Sequence, residues 1–260
     1  MRLVLLLLGS WWLGCTAPEP PAAPDWVPLF NGKDLDGWVP KIKGHPAGVN
    51  FGNTFRVEDG LLKVRYDSAY DGRFDQRYGH LFTQDTFTHY QIRAEYRFAE
   101  PQIADGEGWA TRNSGLMLHG QRAERMGIDQ DFPISLELQL LARTDDEARP
   151  TANLCTPGTE VDFDGAPLGA HCLNSASATY AGSEWVTAQA DVYGDSLLVH
   201  YVNGEEVLRY TRPRIGGGVV AGFLPPEKID GRPLRGGTIS LQSESHPVDF
   251  RRVEIRELRE

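Results

Sequence analysis

Glu137 and Gln139 stand two residues apart inside an apolar run, Ile134-Ser135-Leu136-Glu137-Leu138-Gln139-Leu140-Leu141. In an extended chain successive side chains alternate between faces, so Leu136, Leu138 and Leu140 share one face and Glu137 and Gln139 the other. Gly237-Thr238-Ile239-Ser240-Leu241-Gln242-Ser243-Glu244 repeats the pattern, with Ile239 and Leu241 inward and Ser240, Gln242 and Glu244 outward. Two strands therefore each present a carboxylate and an amide on rigid backbone. His119, after Leu116-Met117-Leu118, points the same way if Leu116 and Leu118 are core. Trp185-Val186-Thr187-Ala188-Gln189-Ala190-Asp191 sends Trp185, Gln189 and Asp191 outward by the same alternation. Carboxylates and amides suit sugar hydroxyls, a carboxylate can move a proton, and an indole gives a sugar ring its platform. The competing reading is that these are ordinary solvated strand faces. Against it, Glu and Gln are poor strand formers, and a solvated face more often carries Thr, Lys or Arg.

The elements that must hold these side chains are legible as strands. Gln91-Ile92-Arg93-Ala94-Glu95-Tyr96-Arg97-Phe98 alternates strictly, with Ile92, Ala94, Tyr96 and Phe98 on one face. Glu58-Asp59-Gly60, Tyr193-Gly194-Asp195 and Val202-Asn203-Gly204 are hairpin turn signals, the last two bracketing Ser196 to Tyr201. Helix is limited to one turn near Arg122 to Met126. Many short strands without helical crossovers predict an all-β fold of two packed antiparallel sheets, a β-sandwich or jelly roll. No second linker or repeat interrupts 26–260, which reads as one domain. Trp109, in Asp105-Gly106-Glu107-Gly108-Trp109, lies in a loop that either covers a ligand or packs on the sandwich. His45, His80, His89 and His200 read as loop or strand-surface residues.

The chain opens with Arg2 and an apolar run from Leu3 to Leu8, ending in Leu13-Gly14-Cys15. That run is too short to span a bilayer and fits a secretory leader over 1–15, with Cys15 placed as a lipidated cysteine; a plain signal peptide cut nearby is the alternative. Residues 16–25, rich in Pro, then read as a tether. The expected location is the bacterial cell envelope, with the chain held to the membrane by lipid on Cys15. Removing Cys15 leaves Cys155 and Cys172, an even pair in an oxidising compartment, which predicts a disulfide closing a long ordered loop. A metal site from the two cysteines and His171 is the alternative. The 260 residues carry 26 Lys and Arg against 36 Asp and Glu, a formal charge of −10, which disfavours nucleic acid as a partner.

Leu29-Phe30-Asn31-Gly32-Lys33-Asp34-Leu35-Asp36-Gly37-Trp38 is very similar to the opening motif of the 3-keto-disaccharide hydrolase family, concanavalin A-like jelly rolls. Asn113-Ser114-Gly115, Glu137-Leu138-Gln139, Glu184-Trp185, Val202-Asn203-Gly204, Gly237 to Gln242 and Phe250-Arg251-Arg252-Val253 follow in the family's order. The Cys-Thr-Pro-Gly and His-Cys-x-Asn-Ser motifs around Cys155 and Cys172 resemble one subfamily. Two positions depart from the common pattern: His119 stands where many members have Arg, and Glu244-Ser245 where many have His-Gly. The resemblance implies a substrate with a ketone at C3 of the sugar, which acidifies the C2 proton and allows elimination of the C1 group before water adds. Ordinary double displacement is disfavoured, because jelly-roll glucanases of that type carry Glu-x-Asp-x-Glu and only Glu137 is kept here. Glu137 or a histidine is then the base, and His119, Gln139 and Gln242 hold the developing enolate, with Gln139, Gln242, Glu244, Trp185 and Asn113 around the sugar. A divalent cation is a further expectation, with His246, Asp162, Asp164, His171 and Glu244 as its candidate ligands. The rival reading is a non-catalytic, lectin-like binding module, and a third is a structural envelope protein without a ligand.

Overall fold

A computed structural model describes residues 25–99, 101–144 and 148–258. Cys15 and almost all of the tether lie outside the described residues. Every strand pair is antiparallel, and the strands form two sheets. The larger sheet has ten strands, centred on His89–Phe98 between Val186–Tyr193 and Val248–Glu257. The smaller sheet has seven, in the order Cys172–Leu173, Asn153–Cys155, Leu136–Leu141, Asn113–Gly120, Thr238–Ser243, Gly79–Thr83 and Trp38–Ile42. This is the all-β jelly-roll sandwich expected from the alternation of the strands.

Period-two patterning fixes which faces meet. Ile92, Ala94, Tyr96 and Phe98 of the larger sheet join Leu116, Leu118, Leu136, Leu138, Leu140, Ile239 and Leu241 of the smaller in one core. Complete burial of a leucine stabilises by roughly 1.5–3 kcal/mol, so this interface dictates strand register. The hairpin signals close as expected: Asp59 and Gly60 have φ of 55° and 74°, Asn203 and Gly204 φ of 50° and 88°. The predicted helical turn is a short 3-10 turn at Ala123–Arg125.

The segment between the cysteines is not one loop. It contains Thr159–Phe163 and Ala166–Pro167, which pair with each other across a turn at Asp164 and Gly165. Thr159–Phe163 also pairs with Glu205–Ile215, so the segment leaves the smaller sheet, joins the larger one and returns. The lack of periodicity there reflects an irregular register, with a shift between Glu160 and Asp162.

Candidate active site

Glu137 and Gln139 share the outer face of Leu136–Leu141, and that face is covered, not solvated: Glu137 is 7% exposed. The neighbouring strands extend the polar row. Gln139 pairs with Gly115 on one side and Asn153 on the other, and Asn153 Nδ2 donates to Gln139 Oε1 at 3.1 Å. Gln242 pairs with His80, and His80 with Lys41. Gly115 closes the row from below. A Cβ at that position would lie 2.6 Å from Glu137 Oε1 and 3.0 Å from Gln242 Oε1. The Glu137 carboxyl therefore leans over the glycine towards Gln242.

A cavity of about 510 Å³ opens above this row, with Asn113, Glu137, Gln139 and Glu244 along its polar side. Trp109, Phe132, Pro157, Val219 and the Cys155–Cys172 disulfide form much of the rest. Burial pushes the Glu137 carboxyl up to about 8. Glu244 is raised well above the carboxylate range, first by burial and then by the neighbouring charge of Glu137. Two carboxyls this close in low dielectric do not both ionise, so the pair keeps a proton around neutral pH. Burial holds His80 down at about 3, helped by the Lys41 charge, so its ring is neutral. Several buried polar atoms here have no hydrogen-bond partner among the described residues: both ring nitrogens of His80, Nε2 and Oε1 of Gln242, Oδ1 of Asn113 and Oε2 of Glu244. Leaving such groups unmet costs about 1–3 kcal/mol each, and a polar ligand would recover that.

The family model described as "3-keto-alpha-glucoside-1,2-lyase-like domain" matches residues 25–256. The chain belongs to this family. No curated protein matches the sequence. Among solved structures, a candidate glycosyl hydrolase from Parabacteroides distasonis is similar at 20% identity and TM-score 0.52, covering 90% of this chain and 94% of that one. A second from the same organism aligns at 16% identity and TM-score 0.53 over 90% and 100%. A β-glucanase from Bacillus licheniformis aligns at 10% identity and TM-score 0.50 over 92% and 100%. These similarities establish the shared jelly-roll fold. The lyase-like domain is thus a carbohydrate-active, glycosyl hydrolase-like domain.

Of the residues read from the sequence, this lyase-like site gathers Glu137, Gln139, Gln242, Glu244 and Asn113. It does not include His119. That residue has φ 51° at a register shift between Asn113–Gly120 and Thr238–Ser243, and the extra residue reverses the alternation. Its ring turns into the sandwich, where Nε2 meets the Gly194 carbonyl at 3.1 Å and Tyr90 packs edge-on. Burial lowers it to about 4. Trp185 is also absent from the site: it immediately precedes Val186–Tyr193 of the larger sheet, with the Arg97 and Arg251 guanidiniums each 4.6 Å from its ring. Gln189 and Asp191 lie on that sheet too, bonded to each other at 2.8 Å. The indole that borders the cavity is instead that of Trp109, stacked on Tyr78 at 6.2 Å. His80 is the residue that sequence reasoning passed over. Its signal was present in Gly79-His80-Leu81-Phe82, where Leu81 is core and His80 faces the other way.

The expected cation ligands do not assemble in the lyase-like domain. Asp162 is paired with Arg214 at 2.9 Å and Arg212 at 3.1 Å on the larger sheet, and Asp164 occupies a hairpin turn. His246 packs edge-on against Phe98. Only His171 and Glu244 border the cavity. Cys155, His171 and Cys172 do place their ligand atoms within 4.8 Å of one another, but the two sulfurs are bonded together, as the cysteine pairing predicted. A disulfide sulfur is not a thiolate ligand, so these residues do not fit a metal ion.

Proposed function

We propose that the domain cleaves the glycosidic bond of 3-keto glycosides by taking the C2 proton and eliminating the C1 group, after which water adds. The observation that carries this is the buried Glu137 and Glu244 pair on the cavity wall, both raised by burial and Glu244 further by the Glu137 charge. The ionised member takes the C2 proton, and the C2–H electrons move to C3 as its oxygen becomes an enolate. The enolate then collapses, re-forming the C3 carbonyl, making the C1–C2 double bond and expelling the C1 oxygen. That oxygen takes its proton from the other carboxyl. Addition of water across C1–C2 yields the free 3-keto sugar.

The enolate needs donors that are buried and already aimed. Gln242 Nε2 and the N–H of neutral His80 are the donors assigned to that role, paired in register beside Gly115 and Glu137, buried, and without hydrogen-bond partners among the described residues. Glu137 titrating near 8 suits a general base at mildly alkaline pH. A raised carboxyl in a cleft also favours an enzyme over a lectin-like module, which has no use for one.

The test is turnover of a chromogenic 3-keto-glucoside and of its unoxidised parent, by wild type and by Glu137→Gln, with and without chelator. The expected outcome is activity on the keto sugar alone, rising with pH towards about 8, and falling at least 100-fold in the variant. Equal hydrolysis of the unoxidised glucoside would replace elimination with ordinary acid–base hydrolysis. Sugar binding without turnover would make the domain a binding module. Loss of turnover with chelator would bring a cation into the site.

A further inference from the structure

We infer that the outer part of the cavity is an aglycone site for a flat apolar group, so the substrates are 3-keto glycosides of aromatic alcohols, not of a second sugar. This rests on cleavage at the Glu137 and Glu244 pair. The cavity wall is chemically divided. Asn113, Glu137 and Gln139 project from sheet strands and Glu244 follows one, so the hydrogen-bonding side chains concentrate on the sheet floor. Away from the floor, Trp109, Phe132, Pro157, Val219 and the disulfide offer rings, methyls and sulfur, with Thr144 and His171 as the polar side chains among them. Arg149 also borders the cavity, but it donates to the carbonyls of Thr111 at 2.5 Å, Ala142 at 3.3 Å and Trp109 at 3.4 Å.

Two features mark this wall as built for a ligand. Trp109 is 51% exposed, yet its indole is held by stacking on Tyr78, which in turn packs on Phe132 at 5.1 Å. A braced, half-exposed indole is a preformed face for another ring. Val219 is 55% exposed and has φ 54°, a conformation that a β-branched residue adopts only when its surroundings impose it. Hydrogen bonds to the turn before Thr159 fix the glycines just before Val219: Gly158 N–H donates to the Gly218 carbonyl at 3.0 Å, and Gly216 N–H to the Gly158 carbonyl at 3.1 Å. Strain thus carries an apolar side chain to the cavity edge. A second sugar ring placed against Trp109, Phe132, Pro157, Val219 and the disulfide would meet few hydrogen-bond partners for its hydroxyls, whereas an aromatic ring would bury apolar area.

The experiment compares 2-phenylethyl 3-keto-glucoside with 3-keto-gentiobiose, whose leaving groups are both primary alcohols, so the difference reports the site and not leaving-group acidity. We expect kcat/KM at least tenfold higher for the phenylethyl substrate. Trp109→Ala should erase that advantage through KM, leaving 3-keto-gentiobiose within about threefold of wild type. Equal or better turnover of 3-keto-gentiobiose, or an equal loss on both substrates in Trp109→Ala, overturns the inference while leaving the proposed reaction intact. If wild type turns over neither, the proposed reaction fails, and titration with unoxidised 2-phenylethyl glucoside and gentiobiose decides the aglycone site alone. Tighter phenylethyl binding that Trp109→Ala abolishes supports it, and equal binding or none overturns it.

Discussion

Glu137 joins stability to chemistry, because the burial that raises its carboxyl is a cost of folding whenever it must ionise. Its folded value of about 8 lies above the ordinary 4.5, so the folded state binds more protons than the unfolded chain between those values. Stability therefore falls as pH rises through that window, and the loss is complete above about 8. Glu137→Gln removes the cost. The variant should melt at or below the wild-type temperature at pH 5 and several degrees above it at pH 8, read by calorimetry at both pH values, since ~1 kcal/mol moves Tm by about 2–4 °C at this size. A wild-type advantage that grows with pH would contradict the buried, raised carboxyl. His119 supplies the opposite case. With its ring bonded to the Gly194 carbonyl inside the core, His119→Gln should lower Tm yet leave kcat/KM within about threefold. A 100-fold loss of kcat would return it to the site.

At the scale of elements, the site depends on a glycine between two reactive strands. Gly115 has no unusual φ to protect; what it supplies is space, since a methyl there would sit 2.6 Å from Glu137 Oε1. Gly115→Ala should therefore cost at least tenfold in kcat while the protein stays folded by circular dichroism. Unchanged kcat would mean that the carboxyl does not work from above that glycine. The strands Leu136–Leu141 and Thr238–Ser243 were legible because Leu and Ile alternate with polar residues throughout, and an unbroken period of two leaves one choice of faces. Asn113–Gly120 was misread at one end for an equally physical reason. Leu116 and Leu118 predicted the outward face for His119, but a left-handed backbone at that residue shifts the register by one, and nothing in Leu-His-Gly announces it. Likewise Trp185 follows the alternation of the strand it precedes correctly, but that strand lies in the other sheet.

Across the whole molecule, the disulfide ties the site to the packing of both sheets. Cys155 is the register partner of Glu137 and of Cys172, and the chain between the cysteines crosses to the larger sheet before returning. Cross-links closing a loop of this length, with a separation of 17 residues, contribute about 3 kcal/mol. Reduction with a dithiol should lower Tm by several degrees and weaken substrate binding more than it slows kcat, since Cys155 and Cys172 form cavity wall. Reduction that leaves KM unchanged would show that the wall holds without the bond. The sequence by itself determined the all-β class, the paired cysteines, the strands bearing Glu137, Gln139, Gln242 and Glu244, and, through its motifs, the family, because these depend on local alternation and spacing. Only the tertiary structure decided that Glu137 and Glu244 line one cavity, that His80 lies beside Gln242 in the same polar row and that Trp109, not Trp185, borders the cavity. Those facts depend on which strands become neighbours and where a bulge reverses a face, and long-range pairing of that kind is set by packing of the two sheets and leaves no local mark.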